Sequence, residues 1–117
     1  MGKTAIVIDD DSDTVEIFSA LLEERNVSVV AKGYNGKQAI DLFSEHSPDV
    51  VFVDIMMPDG TGFHAIRNIR KINENAKIIA VTADVKSTTE EKLNNLNVTG
   101  IIYKPLDMDK IIQLVNN

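Results

Sequence analysis

The sequence predicts an α/β fold in which a parallel sheet carries helices on both faces. Two observations lead to this prediction. Five short runs rich in β-branched residues alternate along the chain with five segments whose apolar residues recur at helical spacing. Each run is also separated from the next by enough chain for one crossover helix, which is the usual connection between parallel strands.

The five predicted strands are almost entirely apolar, which is typical of strands buried on both faces. In chain order they are Ala5–Ile8, Val27–Ala31, Val50–Val53, Ile78–Val81 and Ile101–Ile102.

Each segment between or after these strands carries an apolar stripe that predicts a helix packed on the sheet. The stripes are Val15, Phe18 and Leu22 with Ile17 and Leu21 beside them; Ala39, Ile40 and Phe43; Ile66, Ile69 and Ile72; Leu93 and Leu96; and Met108, Ile111, Ile112 and Val115. Ser87 and Glu90 have the spacing of a capping box ahead of the fourth helix, and Asp107 is expected to open the fifth.

Length and charge limit the range of functions. A chain of 117 residues predicts one domain, spanning 1–117, with no appended effector domain. The net charge of −6 argues against direct binding of nucleic acid or an anionic membrane. No cysteine is present, and His46 and His64, expected on the surface, are too few for a zinc site. Without a long apolar run or a signal peptide, we expect a cytoplasmic protein.

Acidic residues follow two of the predicted strands. Asp9, Asp10 and Asp11 come directly after the first strand, and Asp54 comes directly after the third. In open parallel sheets, ligands bind beyond the carboxyl ends of the strands. Carboxylates that converge there repel one another unless a cation joins them, and oxygen ligands suit Mg²⁺. The sequence therefore predicts a magnesium site at this edge.

A hydroxyl and an ammonium group follow the last two strands. Thr82 ends the fourth strand, and the fifth runs into Lys104-Pro105. A carboxylate beside Mg²⁺ can accept a phosphoryl group, and a hydroxyl and an ammonium nearby can contact the other phosphoryl oxygens. The residues at the strand ends together indicate a phosphoryl site.

These motifs carry a resemblance to a known family. They are Ile8-Asp9-Asp10, Val53-Asp54-Ile55-Met56-Met57-Pro58 followed by Gly62, Val81-Thr82-Ala83, and Tyr103-Lys104-Pro105. In this order, each at a strand end, they resemble the response-regulator receiver domains of two-component signalling over nearly the whole chain. The resemblance implies a flavodoxin-like sheet in the order 2-1-3-4-5. It also suggests a cis Lys104–Pro105 bond, which the sequence leaves open. Pro58, Gly60 and Gly62 are expected to shape their loop.

The resemblance also implies a role for each residue of the site. Asp54 would accept the phosphoryl group, and Asp9 and Asp10 would bind Mg²⁺ with Asp54 and the backbone carbonyl of Met56. Thr82 and Lys104 would contact the phosphoryl oxygens.

The implied partners are a sensor histidine kinase and an unknown downstream protein. The downstream protein would bind a surface made by the fourth helix, the fifth strand and the fifth helix, roughly Ser87–Leu96, Thr99–Tyr103 and Asp107–Val115. The sequence identifies neither partner, and it leaves open whether the domain is monomeric or dimerises on phosphorylation. Such a domain is a switch that catalyses only its own phosphotransfer and dephosphorylation.

Two departures from the family pattern carry consequences. Ile101 stands where family members usually have an aromatic residue, which predicts that the switch transmits through packing. Met56 stands where many members have a polar side chain, and together with Asp84 it predicts slow autodephosphorylation, because a thioether orients water poorly.

One enzyme alternative remains. Asp11-x-Asp13-x-Val15 resembles the nucleophile motif of haloacid-dehalogenase-like phosphatases, which also form an aspartyl-phosphate. In that interpretation Asp11 would be the nucleophile. In the receiver interpretation, Asp11 and Asp13 are helix caps or surface charges.

Overall fold

Strands and helices alternate strictly in the computed structural model, which describes residues 2–59 and 61–117. The strands are β1 (Thr4–Ile8), β2 (Ser28–Gly33), β3 (Val50–Asp54), β4 (Lys77–Thr82) and β5 (Gly100–Tyr103). The helices are α1 (Ser12–Glu24), α2 (Gly36–His46), α3 (Thr61–Ile72), α4 (Ser87–Asn95) and α5 (Met108–Asn116). Gly60, which we expected to shape a loop, lies outside the described residues.

The strands form one parallel sheet in the order β2-β1-β3-β4-β5. This confirms the predicted flavodoxin-like fold. After β1 the chain moves outward to β2 and then returns past β1 to β3. The strand order therefore reverses between β1 and β3, which is where such sheets bind ligands. Ile8 pairs with Val53 in the register of these two strands, so Asp9 and Asp54 follow neighbouring positions.

Two apolar cores separate the helices onto opposite faces, because successive strand residues point to opposite sides of the sheet. One core joins strand residues such as Ile6, Val51 and Ile78 to α2, α3 and α4. The other joins Val7 and Phe52, among others, to α1 and α5.

Edge position explains where the predicted burial was wrong. β1, β3 and β4 are buried almost throughout, whereas Gly33 is the only buried residue of β2 and Ile102 the only one of β5. The predicted second strand began at Val27; this residue is buried but precedes β2.

In the helices, Ile17 and Ile72 were predicted to extend apolar stripes, but they are 61% and 51% exposed.

Helix caps confirm some predictions and correct one. The carboxylates of Asp11 and Asp107 accept backbone N–H groups of the first turns of α1 and α5. The capping box of Ser87 and Glu90 is wrong: α4 begins at Ser87, and its N-cap, Lys86, makes no side-chain capping bond. None of the described helices combines the length and apolarity needed to cross a membrane.

Candidate functional site

Three polar side chains at the carboxyl end of the sheet are buried. Asp9 is 4% exposed, Asp54 is 5% exposed and Thr82 is fully buried. Each stands at or just beyond the end of a central strand, where the apolar strand delivers it to the crevice between β1, β3 and β4. Buried carboxylates are rare without a partner, so this edge of the sheet is the candidate site.

Asp9, Asp10 and Asp54 form a compact acidic cluster. One carboxylate oxygen from each residue lies within 4.8 Å of the others, and Asp10 is the exposed member. An all-oxygen set of this kind fits a hard cation such as Mg²⁺, which commonly takes one or two carboxylates and retains waters. The donor chemistry and spacing therefore fit the metal that the sequence predicted.

Mutual repulsion and burial act on these carboxylates. Burial is the main cause that raises the pKa of Asp9, and the nearby charge of Asp54 adds to it, while the backbone N–H of Asp11 opposes it. Desolvation and the neighbouring Asp9 raise the pKa of Asp10 as well. In the protein without metal, the ionised forms of Asp9 and Asp10 are thus disfavoured.

Lys104 provides the positive charge of the site. Its Nζ lies 3.4 Å from Oδ2 of Asp9 and 3.4 Å from Oδ2 of Asp54. Burial lowers the pKa of Lys104, but the two carboxylates more than offset this effect and raise the pKa above its ordinary value. Both distances are long for a direct hydrogen bond, so the ammonium of Lys104 interacts with the two acids mainly through its charge. The Lys104–Pro105 bond is cis, as the resemblance suggested.

Backbone donors fix the other oxygens of the two buried acids. Oδ1 of Asp9 accepts the N–H of Asp11 at 3.0 Å, and Oδ1 of Asp54 accepts the N–H of Met56 at 2.9 Å. Gly62 of α3 packs close to this turn, since a Cβ there would lie 2.7 Å from Cα of Ile55. The glycine thus allows α3 to begin directly against the end of β3.

The hydroxyl of Thr82 belongs to a hydrogen-bonded network with the start of α4. Thr82 Oγ1 accepts the N–H of Asp84 at 2.9 Å. The carboxylate of Asp84 in turn accepts the N–H of Lys86 at 2.9 Å and the hydroxyl of Thr89 at 2.7 Å. The bond from Thr89 is the main cause that lowers the pKa of Asp84, and the bond from Lys86 contributes to it. Sequence reasoning missed Thr89, because nothing in its spacing from Asp84 matches a known capping pattern.

Asp11 is not part of the acidic cluster and caps α1 instead. Its two oxygens accept the N–H of Asp13 at 3.1 Å and the hydroxyl of Thr14 at 3.0 Å, and the bond from Thr14 is the main cause that lowers its pKa. The side chain is a helix cap, and the phosphatase alternative gains no support from it.

The remaining predicted positions lie as follows. The side chain of Met56 is 54% exposed at the rim, and Ile101 is half-buried against the core on the α2–α4 face. His46 and His64 are exposed, as expected.

Comparisons with known proteins agree with this arrangement. The sequence model of the response regulator receiver domain matches residues 5–116. The chemotaxis protein CheY of Bacillus subtilis is 29% identical over 116 residues, which cover 99% of this chain and 97% of that protein. The polar-differentiation response regulator DivK of Brucella anthropi is 26% identical over 100% of this chain and 96% of that protein.

A solved structure gives the same result for the fold. The CheX–CheY–BeF3–Mg²⁺ complex from Borrelia burgdorferi contains a chain that is 25% identical. It superimposes with a TM-score of 0.89 over 97% of this chain and 86% of that one.

Proposed function

The chain belongs to the response regulator receiver domain family of two-component signalling, and we propose that it is a switch controlled by phosphorylation of Asp54. The observation that carries the proposal is the environment of this carboxylate. Asp54 is buried at the reversal of the strand order, within 4.8 Å of two further acids, and Lys104 lies against its Oδ2.

The proposed reaction is transfer of a phosphoryl group from a phosphohistidine of a sensor kinase. A carboxylate oxygen of Asp54 attacks phosphorus, a P–O bond forms, and the P–N bond breaks as the imidazole leaves with its electron pair. Asp9 and Asp10, with Asp54 and the Met56 carbonyl, would hold Mg²⁺, which would neutralise the carboxylates and stabilise the charge that develops during phosphoryl transfer. The distance of 3.4 Å from Nζ of Lys104 to Oδ2 of Asp54 supports a role for Lys104 as a donor to the incoming group.

Phosphorylation would act on the output surface through Thr82. A phosphoryl group brings about −1.5 to −2 charge and strong acceptors. The hydroxyl of Thr82 would turn to donate to it, which weakens the bond from the Asp84 N–H that links β4 to α4. The affected surface is that of α4, β5 and α5, where we place the unknown downstream partner. Because Ile101 is packed against the core, the change would travel through packing. We place the protein in the cytoplasm.

The experiment is to incubate the protein with Mg²⁺ and acetyl phosphate, trap the labile acyl phosphate and locate it by mass spectrometry. We expect the label on Asp54. It should be absent from the Asp54→Asn variant and retained in Asp11→Asn, the matched control. Label on Asp11 with rapid turnover would contradict the proposal and restore the phosphatase alternative.

The same assay measures the lifetime of the phosphate, which we expect to be long. Met56 offers an exposed thioether at the rim, and the carboxylate of Asp84 is already engaged by Lys86 and Thr89. Neither side chain is well placed to align a water for in-line attack. A Met56→Asn substitution should shorten the lifetime several-fold without preventing phosphorylation. Wild-type phosphate that decays within seconds, or unchanged decay in the variant, would refute this account of the rim.

A further inference from the structure

A basic groove runs between α3 and α4, on the face of the molecule opposite α1 and α5. One part, with a volume of about 270 Å³, is lined by Phe63, Arg67, Lys92, Asn95 and Leu96. A second part of about 210 Å³ shares Arg67, Asn95 and Leu96 and extends past Lys71. The two parts form one continuous surface, which we call the α3–α4 groove.

The charge of this groove is opposite to that of the whole protein. The chain carries a net charge of −6, yet the described residues that line the groove include four cations and no acid. Glu90 and Glu91 of α4 do not line it. Within residues 2–59 and 61–117, Arg67, Lys71 and Lys92 form no ion pair, whereas Lys104 is held by two acids. The groove therefore offers positive charge that no acid of the described chain neutralises.

The fourth cation holds the floor of the groove in place. Arg70 donates from NH1 to the carbonyls of Glu74 and Ala76 at 2.9 and 2.6 Å, and from NH2 to the carbonyl of Asn97 at 2.7 Å. These bonds tie the end of α3 to the turn after α4. The bond to Asn97 thus links α3 to the end of α4 across the groove, so the groove is present before any ligand binds.

The walls combine charge with apolar surface. Phe63, Arg67 and Lys71 are four residues apart on α3, so they share one face of that helix. Across the groove, Nζ of Lys92 lies 5.4 Å from the ring centre of Phe63, which is within the range of a cation–π contact. Leu96 adds a half-buried aliphatic side chain. A ligand that fits this surface has acidic groups and at least one apolar side chain.

We propose that the α3–α4 groove binds an acidic peptide segment of a partner protein. The positive charge extends from Lys92, which lies over the ring of Phe63, to Lys71, and the segment of α3 from Phe63 to Lys71 spans about 12 Å at ~1.5 Å per residue. A single phosphate cannot reach both ends, whereas about four residues of extended peptide cover the distance. A nucleic acid fits less well, because a few cations on an acidic protein do not offset the repulsion of a long polyanion.

Fluorescence anisotropy tests the proposal with a short fluorescein-labelled peptide of Asp and Glu around a central Leu. We expect saturable binding that weakens as salt is raised and is unchanged in Asp54→Asn. That variant separates this inference from the proposed function, since Asp54 is the proposed phosphoryl acceptor and a proposed metal ligand but does not line the groove. Arg67→Glu and Lys92→Glu should each weaken binding by about tenfold. The matched control is Lys37→Glu, which makes the same charge change at an exposed position on α2 and should leave affinity unchanged.

Several outcomes would overturn the proposal. These are no saturable binding, equal binding of a peptide with Lys in place of the acids, or an equal loss in Lys37→Glu. Displacement of the peptide by inorganic phosphate, beyond the effect of chloride at equal ionic strength, would assign the groove to a small anion instead. Self-association that Lys92→Glu abolishes in sedimentation would assign it to a second copy of this chain. Replacing the central Leu of the probe by Ser should weaken binding, and an unchanged affinity would contradict the apolar contact with Phe63 and Leu96.

Discussion

At the carboxyl end of the sheet, Asp9 and Asp54 are buried side by side and share Lys104 at 3.4 Å. At the amino end, Asp49 accepts the N–H and the hydroxyl of Thr4 at 2.8 and 3.2 Å. Burial raises the pKa of Asp9, whereas the bond from the Thr4 N–H is the main cause that lowers the pKa of Asp49. Burial thus disfavours the ionised form of Asp9 at one end of the sheet, whereas hydrogen bonds favour the ionised form of Asp49 at the other.

Two lysines show the same contrast. Lys77, at the start of β4, donates to the carbonyls of Leu114, Val115 and Asn117 at 2.7 to 2.9 Å and so caps the end of α5. Lys104, just after β5, faces two carboxylates at longer distances. The amino end satisfies its polar groups within the fold. The carboxyl end keeps an excess of negative charge, which fits the cation that we propose binds there.

Among the substitutions, the largest effect is expected from Lys104→Met. The substitution leaves two buried carboxylates without a counter-charge. We expect a loss of about 2 kcal/mol in the free energy of unfolding at neutral pH, less than for a fully buried pair because the lysine side chain is 32% exposed. Chemical denaturation over a range of pH measures it.

The pH dependence distinguishes the two ends. The pKa of Asp9 is raised in the folded protein above its ordinary value of 3.8. The free energy of unfolding therefore decreases as the pH rises from the ordinary pKa through the raised one. The loss in Lys104→Met should therefore shrink as the pH falls through this pKa. Lys77→Met, the matched control, should lose stability with a much weaker dependence on acidic pH, because two of its three acceptors are the neutral backbone carbonyls of Leu114 and Val115. If the loss of unfolding free energy in Lys104→Met does not change with pH, the proposed difference between the two ends of the sheet is contradicted.

A smaller effect of opposite sign is expected from Asp10→Ala. Removing one of three crowded charges should raise the melting temperature of the metal-free protein slightly, since the pKa of Asp10 is raised in the fold. Asp13→Ala is the control: this exposed acid lies in the first turn of α1, where negative charge is favourable, so its loss should not stabilise. A lower melting temperature for Asp10→Ala would show that the cluster is not strained by repulsion.

The central strands and the site were predictable because their determinants are local. The apolar runs that form β1, β3 and β4 are each followed by a polar residue, and parallel pairing brings Asp9, Asp54 and Thr82 to one edge. The strand order itself came from the resemblance rather than from periodicity. Local patterns do not reveal which strands lie at the edges, and this is why the predicted burial of β2 was wrong.

The cap of α4 and the α3–α4 groove depend on contacts that no motif records. The carboxylate of Asp84 accepts the hydroxyl of Thr89, and the predicted capping box of Ser87 and Glu90 does not form. Lys92 of α4 lies over Phe63 of α3, 29 positions earlier in the chain. Such pairings arise only when the helices are packed, so a reading of spacings within one helix misses them.

The most direct test of the carboxyl-end site is the melting temperature of the wild-type protein with and without millimolar Mg²⁺, at ionic strength matched with a monovalent salt. Binding to the folded state at a hundredfold excess over Kd stabilises by about 2.7 kcal/mol. We predict a clear rise for the wild type and a much smaller rise for Asp54→Asn, which keeps the shape of the side chain but lacks its charge. An unchanged wild-type melting temperature, or an equal rise in both proteins, would contradict the assignment of Asp9, Asp10 and Asp54 as a metal site.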